Sequence, residues 1–374
     1  MSLVSYQPEF LKQTFAGKRI FLTGHTGFKG SWLTAWLHRL GAEIYGYALA
    51  PEQPQALYHL IQGDELCHST IADLRDSATL KKSFVQARPD FIFHLAAQPL
   101  VRASYQNPLE THEINIMGTA YLLDIIRQYQ QPCTAVFITT DKVYHNEERH
   151  YAYQETDKLG GYDPYSASKA GCEIVIDSYR HSFFNPQHFQ QHHVSLASAR
   201  AGNVIGGGDW AMDRIIPDII RSLANGESLQ VRNPTAVRPW QHVLEPLGGY
   251  LLLAAQQQID PFQHSQAYNF GPEKEDVREV QELVNIALQT FGQPVSMTPL
   301  PTTPQVHEAH LLMLDIQRAK EKLGWQPLLN SNQAIEWTMN WYKAFLKSQT
   351  NIIFDQIQVF EKLMSTAASR KMAL

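Results

Sequence analysis

Residues 18–23 (KRIFLT) pass directly into Gly24-His25-Thr26-Gly27-Phe28-Lys29-Gly30. Residues 31–40 follow, with Trp32, Leu33, Trp36, Leu37 and Leu40 at helical spacing. A strand, a glycine turn and a helix in that order leave few folds open. Glycines at 24, 27 and 30 allow a tight turn and close backbone approach to a pyrophosphate. The unpaired N–H groups and the dipole of the helix that follows favour such an anion. An ordinary βα turn could use the same glycines; the strand before and the helix after tip the reading towards phosphate.

The rest of the first half keeps the alternation. Strands are expected at 43–48, 91–95, 134–139 and 193–199, and helices at 77–87, 114–129 and 165–184. Strands alternating with helices imply parallel crossovers, hence an α/β fold with a Rossmann-type doubly wound sheet. After Gly202 the character changes. GGGD at 206–209, the segment 233–239 and the Pro/Thr-rich stretch 294–304 are loop-like, between helical patterns at 215–223, 245–256 and 277–290. The expected organisation is a dinucleotide-binding domain over 1–202, with 240–272 returning to it. Residues 203–239 and 273–350 would form a smaller C-terminal substrate-binding lobe, and 351–374 a helical tail.

Composition narrows the function classes. Hydrophobic residues make up 44% of 374, which suits a packed globular protein, and a net charge of -5 speaks against a nucleic-acid binder or a membrane-surface protein. No apolar run is long enough to span a bilayer, and residues 1–20 lack the pattern of a signal peptide. Cys67, Cys133 and Cys172 are scattered, so neither a disulfide framework nor a Cys metal site is expected. His188, His192 and His193 have no Cys or acidic partner at ligand spacing, so no metal is expected there either. The expected setting is the cytoplasm.

Two constellations carry chemistry. In GGYDPYSASKAGCE, Tyr165 and Lys169 stand four apart at the start of a helix and share one face. A phenol normally titrates at about 10 and needs a neighbouring cation to act as a base at neutral pH. Such a pair is also common on a solvated helix face; the glycine turn upstream and Thr139-Thr140 at a strand end favour the catalytic reading. The second constellation is that strand end, Thr140-Asp141-Lys142. Beyond Gly202, Arg214, Arg232 and Arg238 are candidate ligands for a diphosphate, because a planar guanidinium grips phosphate oxygens in two places. His307 lies in a loop and has even claims as a nucleotide ligand and as an ordinary loop residue.

These motifs, in this order, resemble the extended short-chain dehydrogenase/reductases, whose glycine spacing is G-x-x-G-x-x-G. The resemblance implies NAD as cofactor, held by Gly24, Thr26, Gly27, Phe28, Lys29, Gly30, Asp73, Leu74, Leu95, Ala96, Ala97, Thr139, Tyr165 and Lys169. Asp73-Leu74 would meet the adenine, His94-Leu95-Ala96-Ala97 would run along the cofactor, and Lys169 would hold the nicotinamide ribose. Asn115, in N-x-x-G-T, resembles a structural asparagine of the family. One departure is that the second strand ends in Ala48-Leu49-Ala50, with no acid for the adenosine ribose and no arginine for a 2′-phosphate. The choice of NAD over NADP does not follow from that position.

Within the family, Thr140-Asp141-Lys142 resembles the Thr-Asp-Glu of the nucleotide-sugar 4,6-dehydratases. In their chemistry the cofactor stores a hydride from C4 of the sugar, water leaves across C5–C6, and the hydride returns to C6. The resemblance gives Tyr165 the role of base, Thr140 a hydrogen bond to O4, and Asp141 the proton for the departing 6-hydroxyl. Lys142 stands where those enzymes have a glutamate base. Three readings stay open: a desolvated neutral amine acting as base, an ammonium stabilising the C5 enolate, or a structural ion pair. GFKGSW, GNVIGGGDW and PQVHEAH narrow the resemblance to the branch acting on CDP-glucose, with Gln98 and Asn203 joining Arg214, Arg232, Arg238 and His307 on the substrate side. A simple epimerase or reductase of the same fold would not need Asp141. A non-catalytic cofactor-binding protein would not need Thr140, Tyr165 and Lys169 together. In the family the helices at 114–129 and 165–184 pair across a two-fold axis, so a homodimer or a dimer of dimers is expected.

Overall fold

The computed structural model describes residues 6–231, 233–293, 297–299 and 311–372. Seven strands form the central sheet: β1 (Arg19–Thr23), β2 (Glu43–Ala48), β3 (His68–Ile71), β4 (Phe91–His94), β5 (Cys133–Ile138), β6 (Val194–Ala201) and β7 (Ala267–Phe270). Their order is β3-β2-β1-β4-β5-β6-β7, and each neighbouring pair is parallel. The order reverses between β1 and β4, so a crevice opens beyond the carboxyl ends of those two strands, where a ligand can enter.

Alternation along β1 assigns its side chains to two layers. Ile20 and Leu22 join a large cluster with Trp32, Trp36, Tyr250 and Phe270 on one face. Phe21 joins Tyr47, Phe84, Leu122, Ile126 and Ile176 on the other. The helices that cover these faces are α1 (Pro8–Phe15), α2 (Phe28–Arg39), α3 (Ser77–Ala87), α4 (Gly118–Tyr129), α5 (Pro164–Ser182), α6 (Ile215–Asn225), α7 (Leu244–Ile259), α8 (Val280–Phe291), α9 (Ser331–Ser348) and α10 (Ile353–Met372). Helix α7 is buried from Leu244 to Gln257 and packs against β5 and β6. That explains why it is apolar all round and carries no clear stripe. No helix among the described residues is long and apolar enough to cross a membrane.

The differences from the expected elements have local causes. Helix α2 begins at Phe28, inside the glycine motif, because Gly27 in an extended conformation serves as its N-cap. β3 (HSTI) and α1 were not expected: the first is four mostly polar residues, the second a helix of eight. The helix expected over 114–129 opens with a π-turn, Glu113–Met117, before α4 starts at Gly118. This wider turn presents Asn115 inwards: its Oδ1 accepts from Gln98 N at 2.8 Å, and its Nδ2 donates to the Gln98 carbonyl and to Ser168 Oγ. Beyond β6 the chain builds small two-strand ladders, such as Val204–Ile205 with Gln241–His242 and Ala152–Tyr153 with Met313–Leu314. Helix α10 lies on α2, where Glu361 accepts from Trp36 Nε1 at 3.1 Å and from Arg39 Nε at 2.9 Å.

Candidate active site

The glycine turn is built at backbone contact distance. Gly24 has φ +77°, and a Cβ there would stand 2.8 Å from Ala96 N. A Cβ on Gly30 would fall 1.9 Å from the Gly24 carbonyl oxygen. Only glycine fits either place, and the result is that the start of α2 sits tight against the ends of β1 and β4. Gly27, by contrast, is exposed. Helix α2 has no side-chain cap and no acidic residue in its first turn, so its leading N–H groups face the crevice available to an anion. The residues therefore fit the pyrophosphate of a dinucleotide.

Around the turn, Thr26 Oγ1 donates to the Leu49 carbonyl at 2.8 Å and closes the loop after β2. Asp73 is gripped by Arg75, with Nη2 to Oδ2 at 2.7 Å, and that pair holds its carboxyl below the usual range. Leu74 is buried against Gly118. Leu95 N and Ala96 N donate to the Thr23 carbonyl and hydroxyl, which aligns the stretch Leu95–Ala96–Ala97 along the crevice wall. Phe28 is half-buried, near Gly206 of the opposite wall. Lys29 lies within electrostatic range of Arg214, Lys169, Asp141 and Lys142; burial, more than the three cations, pushes its ammonium down to about 7.

β5 delivers Thr139, Thr140 and Asp141 to the floor of the crevice, all buried. Thr140 Oγ1 donates to Asp141 Oδ1 at 2.9 Å, and Lys142 Nζ donates to the same oxygen at 3.0 Å. Gly202 makes room for this carboxyl, since a Cβ there would lie 2.8 Å from Asp141 Oδ2. Lys142 is thus ion-paired with Asp141. Asp163 caps α5 by accepting from Ser166 N at 2.9 Å, and Pro164 fixes its first turn. That helix presents Tyr165 and Lys169, both buried. Burial pushes the Tyr165 phenol up; its hydrogen bond with Thr140 and the Arg214 guanidinium pull it back. Lys169 Nζ reaches the Ile138 carbonyl at 3.4 Å, and burial lowers its ammonium.

The substrate-side candidates are more dispersed. Gln98 is turned inwards: its Oε1 accepts from Leu100 N and its Nε2 donates to Thr111 Oγ1 at 2.9 Å. Arg214 Nη1 is fixed by Asp209 Oδ2 at 2.8 Å and is brought to Tyr165 and Lys29. Asn203 lies in the Val204–Gln241 ladder, its carbonyl accepting from Gln241 N. Arg238 sits in the short strand Val237–Arg238. Arg232 and His307 lie outside the described residues. The sequence reading passed over Asp209, which holds Arg214, and over Gly202 as the neighbour of Asp141. It also passed over Glu173, four residues after Lys169 on the same helix face.

A helix start left open to an anion, beside a buried phenol and lysine, defines an extended short-chain dehydrogenase/reductase. Residues 21–338 match the GDP-mannose 4,6 dehydratase family, and the chain belongs to it. A CDP-glucose 4,6-dehydratase from Salmonella typhimurium is 43% identical over 355 residues, which cover 95% of this chain and 99% of that protein. A CDP-paratose 2-epimerase from Salmonella typhi is 24% identical, over 86% of this chain and 98% of its own. Among solved structures, a dTDP-glucose 4,6-dehydratase from Streptomyces venezuelae with NAD bound superposes with a TM-score of 0.73 at 23% identity, covering 87% of this chain and 97% of that one. A UDP-glucose 4-epimerase from Stenotrophomonas maltophila, also with NAD bound, gives a TM-score of 0.75 at 21% identity, over 88% and 99%. These two likenesses are of fold.

Proposed function

We propose that the protein is a CDP-glucose 4,6-dehydratase, forming CDP-4-keto-6-deoxyglucose and water for deoxysugar synthesis. The dehydratase reading is carried by Asp141, a buried carboxyl hydrogen-bonded by Thr140 and Lys142 beside the Tyr165 phenol; the cytosine base is supported by the 43% identical relative. A fold of this type that only oxidises, reduces or epimerises a sugar has no need of a carboxylic acid there. NAD, held by the α2 turn, Thr139, Tyr165 and Lys169, would supply reversible redox chemistry at the sugar carbinol. Tyr165 removes the 4-hydroxyl proton, and Thr140 orients O4.

Lys142 and Asp141 then act as one unit. Lys142 Nζ and Asp141 Oδ1, 3.0 Å apart, are close enough to share one proton within the pair. Lys142 takes the C5 proton, made acidic by the 4-ketone. Asp141 hands the shared proton to the 6-hydroxyl, which leaves as water. This joins the base reading of Lys142 to the ion pair, and Asp141 needs no other source of its proton.

On the substrate side we assign the diphosphate to Arg214, Arg238 and Asn203, in a lobe of 203–239 and 273–350. We also propose a homodimer through the helices around Met117 and Ile174, which are 43% and 61% exposed apolar residues. Ile174→Asp should halve the mass seen by light scattering. The test of function is a panel of CDP-, dTDP-, UDP- and GDP-glucose assayed for keto-sugar. CDP-glucose should react best, without net NADH, and a deuterium placed at C4 should appear at C6. Product lacking deuterium at C6 would sink the mechanism.

A further inference from the structure

Helix α5 carries a third group on the face of Tyr165 and Lys169: Glu173, which is 3% exposed. Its carboxylate accepts from Thr139 Oγ1 at 2.5 Å, Ser198 Oγ at 2.8 Å and Arg200 Nη2 at 2.9 Å. Arg200, itself 3% exposed, also donates from Nη1 to the Tyr144 hydroxyl at 2.8 Å and to the Glu155 carbonyl at 3.1 Å. Tyr144 is pinned on its other side by Asn269 Oδ1 at 2.7 Å. The Thr140-Asp141-Lys142 turn is therefore bracketed. The residue before it, Thr139, is bonded to Glu173 directly, and Tyr144, two residues after it, is bonded through Arg200. Thr139 itself stands on the crevice floor, but the chemistry assigned above uses none of these bonds.

We infer that Glu173 is a positioning residue: with Arg200 it locks the helix face bearing Tyr165 and Lys169 to the turn bearing Thr140, Asp141 and Lys142. The inference rests on the roles given to those residues in the proposed function. Its physical basis is that two segments from different parts of the chain must hold a mutual geometry to within a fraction of an ångström. A buried ion pair with several hydrogen bonds to each partner is a stiff link, whereas an apolar contact lets helix and strand slide. Misplacement by about 1 Å costs about a hundred-fold in rate.

The groups facing the Tyr165 phenol are Thr140 and Asp141 from the turn, Arg214 from the loop before α6, Asp163 from its own N-cap and Tyr250 from α7. Of these the Thr140 hydroxyl depends on the bracket. If the turn drifts, the phenol loses that bond and its ionisation moves to higher pH. Loosening the bracket should therefore lower kcat and also move the acid limb of its pH profile upwards.

Glu173→Gln keeps the shape and removes the charge. We expect kcat to fall about ten- to a hundred-fold, KM for the sugar nucleotide to stay within about two-fold, and the acid limb to rise. Glu173→Asp, which keeps the charge, should restore part of the rate. Backbone hydrogen exchange over residues 139–144, which needs no substrate, should speed up in Glu173→Gln. If Glu173→Gln does not fold, the double variant with Arg200→Gln leaves no buried ion unpaired and should give the same changes. Unaltered exchange at 139–144, or a lowered Tm with wild-type kcat and acid limb, would overturn the inference. Full activity in Tyr165→Phe would instead overturn the proposed function, so the two failures are distinguishable.

Discussion

The two walls of the crevice are held by different means. On the cofactor side, β1, the glycine turn and the start of α2 are fixed by backbone against backbone, with Gly24 and Gly30 at distances that exclude a Cβ. On the catalytic floor, polar side chains hold each other: Asp141 with Thr140 and Lys142, Glu173 with Arg200 and Thr139, Arg214 with Asp209. The first kind of link tolerates no added atom. The second includes partners 27 and 34 residues apart, Glu173 with Arg200 and with Thr139, and it can change chemistry by one substitution while the fold stands.

That contrast can be tested by removing one element at a time. Tyr165→Phe deletes the phenolic oxygen and leaves the packing; keto-sugar formation should drop about a thousand-fold with Tm nearly unchanged. Asp141→Asn and Lys142→Met each break the proton-sharing pair. Elimination should slow about a hundred-fold, more than oxidation, so rapid-quench analysis should catch a 4-keto intermediate that still bears its 6-hydroxyl. Equal loss of both half-reactions would count against the assignment. Gly30→Ala puts a methyl group where the Gly24 carbonyl lies. It should destabilise the fold by about 1–3 kcal/mol and weaken NAD binding, read by calorimetry.

The smallest effect concerns a group outside both walls. Glu245 on α7 is pushed up to about 8 by burial, although Leu328 N and Leu329 N donate to its Oε1. The folded protein then keeps a proton that the unfolded chain releases near 4.5. Stability should fall as pH rises from that value to about 8, where the slope ends. Glu245→Gln should flatten this part of a Tm-against-pH curve and raise Tm by about 2 °C at its alkaline end. An unchanged slope would mean that the carboxyl is charged in the fold.

What the sequence revealed follows the same division. The sheet, the glycine turn and the Tyr165–Lys169 face were legible because strand and helix periods, and the need for glycine, are local signals. Short polar β3 and the π-turn at Asn115 were not, since their identity comes from pairing and from contacts with Gln98 and Ser168. Lys142 could be read three ways because its role depends on which way a side chain turns. Glu173 was overlooked because nothing local tells a buried glutamate on α5 from a solvated one; its partners Thr139, Ser198 and Arg200 lie on two other strands.

The link between α2 and α10 bears on how the protein is made. Trp36 and Glu361 are 325 residues apart, so at synthesis rates of about 5–20 residues per second the cofactor-binding helix waits tens of seconds for its covering partner. During that interval Trp36, fully buried in the finished molecule, has no Phe360 to lie against. The dinucleotide-binding half therefore reaches its final packing only after α10 has left the ribosome.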